Sequence, residues 1–446
     1  VALKGVSGAS FAVALVRPWQ SLQERFRSRG WRRLPLFSFL AVLGPGLVAA
    51  NAGNDAGGIA TYAQAGAQYG YDLLWMLVVI TVSLIVVQEM CARMGAITGK
   101  GLSELIREEF GPRWTVFAML TLLLANGLTT ITEFAGIGAA VELFGISRYI
   151  SVPFSAVVIW FLVARGSYSR VERVFLVMTL AFFAYPISAI LAHPDWSAVA
   201  RGTFVPTFHL DQAFIFVFVA TIGTTITPYM QVFVQSSVVD KGITPTEYPY
   251  ERGEVVFGSV FSNVIAMFIV ITTAATLFVK QIPINTAADA ALALEPLAGQ
   301  FAFALFGIGL LGASMLAAGV LPLATAFSVT EAFGWEKGLS LSPSEAPAFY
   351  YLFTSLIAVG ALVTLIPGLN LFQLLLVVQV INAMLLPVLL VFIVRLSSSP
   401  TVMGSYRNGR RFNVLAWGTV VMVGGLAILY LAISLIGPLI GFGGGQ

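Results

Sequence analysis

Ala52-Gly53-Asn54-Asp55-Ala56-Gly57-Gly58 is the stretch on which the fold turns. It closes an apolar run, residues 36–60, long enough to cross a bilayer, for which about 20 mostly apolar residues suffice. An acid inside such a run is costly and marks a functional position. The glycines around Asp55, with Gly44-Pro45-Gly46 before them, favour unwinding, because glycine accepts backbone shapes closed to other residues. A second apolar run, 211–239, is interrupted in the same way by Ile222-Gly223-Thr224-Thr225-Ile226-Thr227-Pro228-Tyr229-Met230. Pro228 has no backbone N–H and its ring crowds the preceding turn, so this helix is expected to break near its middle.

Working outward, apolar segments lie at 36–60, 72–98, 114–143, 149–164, 171–192, 211–239, 253–280, 299–328, 347–366, 370–396 and 412–437. These predict an all-α polytopic membrane protein with eleven transmembrane helices. The two interrupted segments are the first and the sixth. That offset of five is the mark of two inverted five-helix repeats whose broken helices meet near the midplane. The expected organisation is a basic arm at 1–35, a first repeat at 36–193, a second at 211–396 and an additional helix at 412–437. Composition agrees. The chain is 58% hydrophobic and 10% charged, with a mean hydropathy of +0.89. A soluble domain carries about 25% charged residues.

Charge sets the expected orientation. The arm carries Lys4, Arg17, Arg25, Arg27, Arg29, Arg32 and Arg33. With that arm in the cytoplasm, only Arg148, Arg201 and Lys280 of the 24 basic residues fall outside, as the excess of Lys and Arg on cytoplasmic loops requires. The reading is a multi-pass plasma-membrane protein with its N-terminus inside and its Gly-rich C-terminus outside. The only histidines, His193 and His209, fall in the outer connection between segments five and six. A single cysteine, Cys91, rules out an internal disulfide framework and a cysteine-based metal cluster. There is no P-loop, dinucleotide fingerprint, His-Glu-x-x-His or Ser/His pairing, so neither an enzyme, a bound cofactor nor a nucleic-acid partner is expected. The expected partners are the lipid bilayer and a small solute. At the breaks, the freed carbonyls around Ala52 and Thr224 would face a polar cavity, where non-helical backbone is tolerated. They can bind a cation directly, with Asp55 supplying the charge.

These residues resemble the NRAMP family of divalent-metal transporters, from about Leu43 to about Pro387. The likeness rests on Gly44-Pro45-Gly46 with the Asp55 turn, Thr98-Gly99-Lys100 after Gln88-Glu89-Met90, Thr132-Glu133-Phe134 with Gly138-Ala139-Ala140, and Gln379. The resemblance implies a LeuT-like fold with inverted repeats. The departures from the family pattern are specific. The Asn of the family's Asp-Pro-Gly-Asn becomes Gly58, its Met-Pro-His becomes Thr227-Pro228-Tyr229, and an Asp of the third helix becomes Thr130. This pattern is similar to the NRAMP-related magnesium transporters. A thioether favours softer transition metals, whereas Mg²⁺ wants oxygen and gives up its water reluctantly. Losing the thioether at Thr227 and the side-chain volume at Gly58 suits a partly hydrated ion.

The expected metal site is Asp55, Thr227, Ala52, Thr224 and Gly58, lined by Tyr229, Gln379, Met230 and Asn382. Met230, three residues beyond Thr227, could restore a thioether if the break shifts register. Glu133 either relays a proton or braces a helix pair. The expected function is import of Mg²⁺, with some Mn²⁺, by alternating access without proton coupling. The alternatives are a proton-coupled Mn²⁺/Fe²⁺ importer and an organic-cation or amino-acid transporter of the same fold. Asn126, Asn263 and Asn382 are expected to join helices or line water, and Glu89 with Arg93 to form a buried pair.

Overall fold

The computed structural model describes residues 55–164, 180–338 and 341–436. The basic arm, Ala52 with the first half of the first segment, and the Gly-rich tail lie outside those residues. What is described is helix joined by short connections, with no strand among the described residues.

The helices follow the apolar segments. In order they are α1 (Ala56–Tyr69), α2 (Leu74–Thr98), α3 (Leu102–Phe110), α4 (Pro112–Glu142), α5 (Arg148–Ala164), α6 (Ala184–Leu191), α7 (Trp196–Phe204), α8 (Gln212–Thr225), α9 (Pro228–Asp240), α10 (Tyr248–Thr273), α11 (Ala302–Phe333), α12 (Pro347–Thr364), α13 (Leu371–Ser398) and α14 (Arg410–Ile436). Among the described residues eight spans are long and apolar enough to cross a membrane, the broken pair α8–α9 counting as one; Arg148–Ala164 and Leu180–Leu191 are shorter apolar helices.

Local chemistry sets the ends. The Asp55 side chain caps α1, and Asn370 caps α13 by accepting from the N–H groups of Phe372 and Gln373. Gly99 ends α2 in the left-handed region at φ 64°, as Thr98-Gly99-Lys100 requires. Two helices were not anticipated. The stretch Leu102–Phe110 buries Leu102, Leu105 and Ile106 and exposes Glu108 and Glu109, the pattern of a surface helix. Its nine residues are too short to register in a search for spans. The other, α7, is capped by Asp195. The end of α10 widens into a π-turn at Ala274–Phe278. There Thr272, Thr273 and Thr276 each donate to a carbonyl four residues back, a habit that bends helices.

The long helix α4 lies at the centre, packed against α11, α13 and α12; α8 lies on α13, and α10 on α1 and α2. Buried polar bonds join these layers. Asn126 donates to Thr325 at 2.8 Å and Asn382 to Thr129 at 2.9 Å, both between helices, whereas Asn263 turns to Ser259 of its own helix. Glu89 and Arg93 form the expected pair at 3.3 Å. Tyr248 donates to Glu89, while Arg93 donates to the Tyr406 carbonyl and to Asn408 and lies over the Phe412 ring. This ties α2 to α10 and to the connection before α14. Beyond α9, burial works against the charge of Lys241, but Glu254 and Glu251 outweigh it and hold its pKa above the usual ammonium value.

Candidate metal site

The site begins with the break between α8 and α9. Thr224 would give its carbonyl to the N–H four residues on, but that residue is Pro228, which has none. The backbone leaves the helix at Ile226 (φ −114°, ψ 70°) and runs extended through Thr227 (φ −74°, ψ 143°). Pro228 then opens α9 at its first position, where the missing N–H costs nothing. The carbonyl end of α8 carries the negative pole of its dipole and favours a cation.

Asp55 stands at the start of α1. Its Oδ1 accepts from the Gly58 N–H at 2.7 Å, and its Oδ2 is buried with no hydrogen-bond partner. Gly58 therefore holds the carboxylate by its backbone and brings no oxygen of its own. The Thr224 hydroxyl approaches the Asp55 carboxylate without the geometry of a completed hydrogen bond. Thr227 Oγ1 is likewise buried and without a partner. Tyr62 ties α1 to the end of α8, its hydroxyl 2.9 Å from Thr225 Oγ1.

Close glycine contacts set the walls. A Cβ on Gly223 would stand 1.9 Å from the Gln379 carbonyl oxygen, so the backbones of α8 and α13 touch. A Cβ on Gly57 would stand 1.7 Å from Gln379 Nε2, so that amide lies directly on α1. Asn382 donates to Gln379 Oε1 at 3.2 Å. As arranged, Gln379 turns a donor toward α1. That end suits the Asp55 carboxylate, and Gln379 becomes a metal ligand only when its amide turns over. A Cβ on Gly136 would stand 2.3 Å from Ser314 Oγ and 2.5 Å from Ala56 Cβ, so α4, α11 and α1 also meet here.

Glu133, one turn before Gly136, is fully buried, with the Asp55 charge and the Ala56 N–H in electrostatic reach. Neither of its carboxylate oxygens completes a hydrogen bond, and the Ser314 hydroxyl has no partner either. Tyr229 is buried within the field of both Asp55 and Glu133.

Thus Asp55, Thr224 and Gln379 are brought together where the start of α1 meets the α8–α9 break, with Thr227 at the start of α9 and Asn382 behind Gln379. Met230 turns elsewhere. Its sulfur accepts from Gln88 Nε2 of α2 at 3.6 Å, and it clusters with Tyr229, Ala317 and Leu321. Ala52 lies outside the described residues. His193 and His209 stand in the connections before α7 and α8, and His209 pairs with Asp72 at 3.0 Å. Sequence reading missed Ser314, which carried no signal inside a run of small residues. It also missed Gln231 and Gln235, whose spacing of four in an apolar helix was visible. Among the described residues no group of three or more His, Cys, Asp or Glu could hold a metal. What stands together here is the Asp55 carboxylate, the Thr224 and Thr227 hydroxyls and the carbonyl end of α8.

Such a fold and site define a multi-helix membrane transporter, with an acid capping α1 beside a helix interrupted at Ile226 and Thr227. The chain belongs to the Nramp family: residues 46–433 match the family model described as natural resistance-associated macrophage protein-like. It is similar to the Divalent metal cation transporter MntH of Deinococcus radiodurans, 28% identical over 410 residues covering 89% of each chain. It is 25% identical to the protein of that name from Bacillus subtilis over 414 residues, 90% of this chain and 93% of that one. Among solved structures, the Eremococcus coleocola manganese transporter superposes with a TM-score of 0.71 at 20% identity, covering 91% of this chain and 90% of the other. MhsT in complex with L-phenylalanine follows at TM-score 0.52 and 13% identity, over 86% and 97%. The fold is LeuT-like, and the family is one of transporters, not enzymes.

Proposed function

We propose that this divalent metal cation transporter carries Mg²⁺, and Mn²⁺ beside it, in partly hydrated form and without proton coupling. The observation that carries this reading is the donor set. At the start of α1 and the α8–α9 break the side chains placed to face an ion are the Asp55 carboxylate and the Thr224 and Thr227 hydroxyls, with oxygen atoms lacking partners. The one nearby thioether, Met230, is engaged by Gln88. Oxygen-only donors with room for water suit Mg²⁺, which keeps several waters. The Ala52 and Thr224 carbonyls complete the set, Gly58 leaves the space, and Tyr229, Gln379 and Asn382 line it. Movement proceeds by alternating access as the repeats at 36–193 and 211–396 rock about this site. With the basic arm inside, an inside-negative potential drives entry at about 2.3 kcal/mol per charge per 100 mV.

Proton coupling requires a group that titrates in the path. Histidine is the usual choice near neutral pH, and both histidines of this chain lie in loops. One observation favours a second reading, proton-coupled Mn²⁺ import: Glu133 is an unpartnered buried acid within reach of Asp55. The two part in liposomes loaded with a Mg²⁺ indicator and a pH indicator. Mg²⁺ entry abolished by Asp55→Ala, with internal pH unchanged, supports the first reading. Entry of Mn²⁺ alone, or acidification in step with metal, overturns it.

A further inference from the structure

The central site is not the only place where oxygen is buried without a partner. On α9, Thr227, Gln231 and Gln235 recur every four residues, which puts them on one face. At 1.5 Å per residue their Cα atoms are spaced about 6 Å apart along the axis. Their exposures are 1%, 0% and 0%. The amide nitrogens are fixed: Gln231 Nε2 donates to the Thr227 carbonyl at 3.3 Å, and Gln235 Nε2 to the Lys100 carbonyl at 2.9 Å. Both oxygens are thereby turned away from those bonds. Gln231 Oε1, Gln235 Oε1 and Thr227 Oγ1 all lack partners. A buried acceptor left unsatisfied is destabilising, and a leucine in its place would remove that penalty. Three in line, starting at the metal site, call for a role that folding does not supply.

We propose that Gln231 and Gln235 are successive oxygen stations for the hydrated cation between the central site and the end of the molecule where α2 gives way to α3. Carboxamide oxygens accept hydrogen bonds from metal-bound water without adding charge, so each step holds the ion loosely enough for it to move on. The line ends beside Lys100, whose ammonium is taken up by Glu108 at 2.5 Å. In the described conformation the line is closed. Gln235 fastens α9 to the end of α2, and a Cβ on Gly95 of α2 would stand 2.9 Å from the Gln235 carbonyl oxygen. Opening the route separates these two helices and exposes the stations to water.

The inference rests on the reading of the chain as a divalent-cation transporter, and the test keeps the two apart. Wild-type protein in liposomes is assayed with Mg²⁺ and with Mn²⁺; failure of Mg²⁺ entry there overturns only the choice of ion. With whichever ion the wild type carries, Gln231→Leu is expected to lower the maximal uptake rate about tenfold, the equivalent of ~1.4 kcal/mol in barrier. The equilibrium dissociation constant of the central site, from titration calorimetry, should stay within about twofold, since the station lies beyond that site. Gln231→Asn keeps a neutral carboxamide acceptor and should retain most of the flux. Gln235→Leu, read the same way, supplies a second variant should Gln231→Leu fail to give a monodisperse protein. Leucine variants that carry the ion at the wild-type rate overturn the proposal. So does a loss of affinity that accompanies the loss of rate, or equal losses in the Leu and Asn variants.

Discussion

Gly223→Ala should be among the most damaging single-methyl changes this protein can take. The added Cβ would stand 1.9 Å from the Gln379 carbonyl oxygen, 2.8 Å from the Ala383 nitrogen and 3.0 Å from the Ala383 Cβ. The obstacle is helix backbone, so no side chain can swing aside. Clearing it moves α8 away from α13 by roughly 1 Å, and forcing groups into a close-packed interior in this way costs about 1–3 kcal/mol or more. Thr224 follows Gly223 in the chain and moves with it, away from Gln379. Metal binding should weaken by about tenfold or more, since ~1.4 kcal/mol is a factor of ten. Gly57→Ala is the matched control. Its Cβ would meet the far end of the Gln379 side chain at 1.7 Å, and that amide can rotate off α1. The assays are thermal unfolding followed by size-exclusion chromatography, and metal titration. Gly223→Ala should melt lower than Gly57→Ala, with both weaker in metal binding than wild type. A Gly223→Ala protein with the melting temperature and affinity of wild type would refute the close approach of α8 and α13.

Thr227→Met returns a thioether to the break and should raise the preference for Mn²⁺ over Mg²⁺ by about tenfold, measured by competition in liposomes; an unchanged ratio shows that Thr227 does not face the ion. Arg93→Ala strands Glu89 and Asn408 in a buried setting, so a loss of about 3–5 kcal/mol is expected, seen as a large drop in the unfolding midpoint. Arg93→Ala melting like wild type would remove that network from the fold's stability. In the connection before α7, bonds from the Ser197 hydroxyl and from the N–H groups of Ala198 and Ser197 hold the Asp195 carboxyl below its usual value of 3.8. A depressed folded-state pKa stabilises the cap above the unfolded value and loses that stabilisation as pH falls through the folded one. Hydrogen exchange in Trp196–Phe204 should therefore quicken only below that range, and protection indifferent to acid would count against the cap.

The parts of the site that sequence exposed were those set by local chemistry. Pro228 withholds the N–H that Thr224 needs and opens α9 at its first position, although Pro153, Pro322 and Pro387 sit inside continuous helices, and Asp55 in an apolar run with Gly58 three residues on is both an acid in the membrane and a helix cap. Direction was harder. Whether Met230 faces the ion depends on α9 being turned so that its sulfur meets Gln88, 142 positions earlier in the chain. Which end of the Gln379 amide faces α1 depends on Asn382 holding the other. Gln231 and Gln235 had a readable period, but their burial and the absence of partners for their oxygens come only from packing. The small helix Leu102–Phe110 was readable from its amphipathic pattern, which a search for long apolar spans passes over.

A resident metal is held by several charged ligands at once, and this chain gathers no such group among its described residues. What it gathers is the Asp55 carboxylate at the start of α1, with Glu133 buried near it, hydroxyls at the α8–α9 break, and a run of neutral oxygens along α9. Each unsatisfied oxygen raises the free energy of the empty protein, so an entering ion with its water recovers part of that at every position. Because the positions beyond Asp55 are neutral, no single one traps a doubly charged ion, and conduction needs binding weak enough to leave as well as strong enough to enter. A second carboxylate in place of Gln231 or Gln235 would deepen one well and slow release. On the proposed route, the spacing of α9's oxygens and the confinement of charge to the neighbourhood of Asp55 are therefore two sides of one requirement, that the ion be recognised once and afterwards only guided.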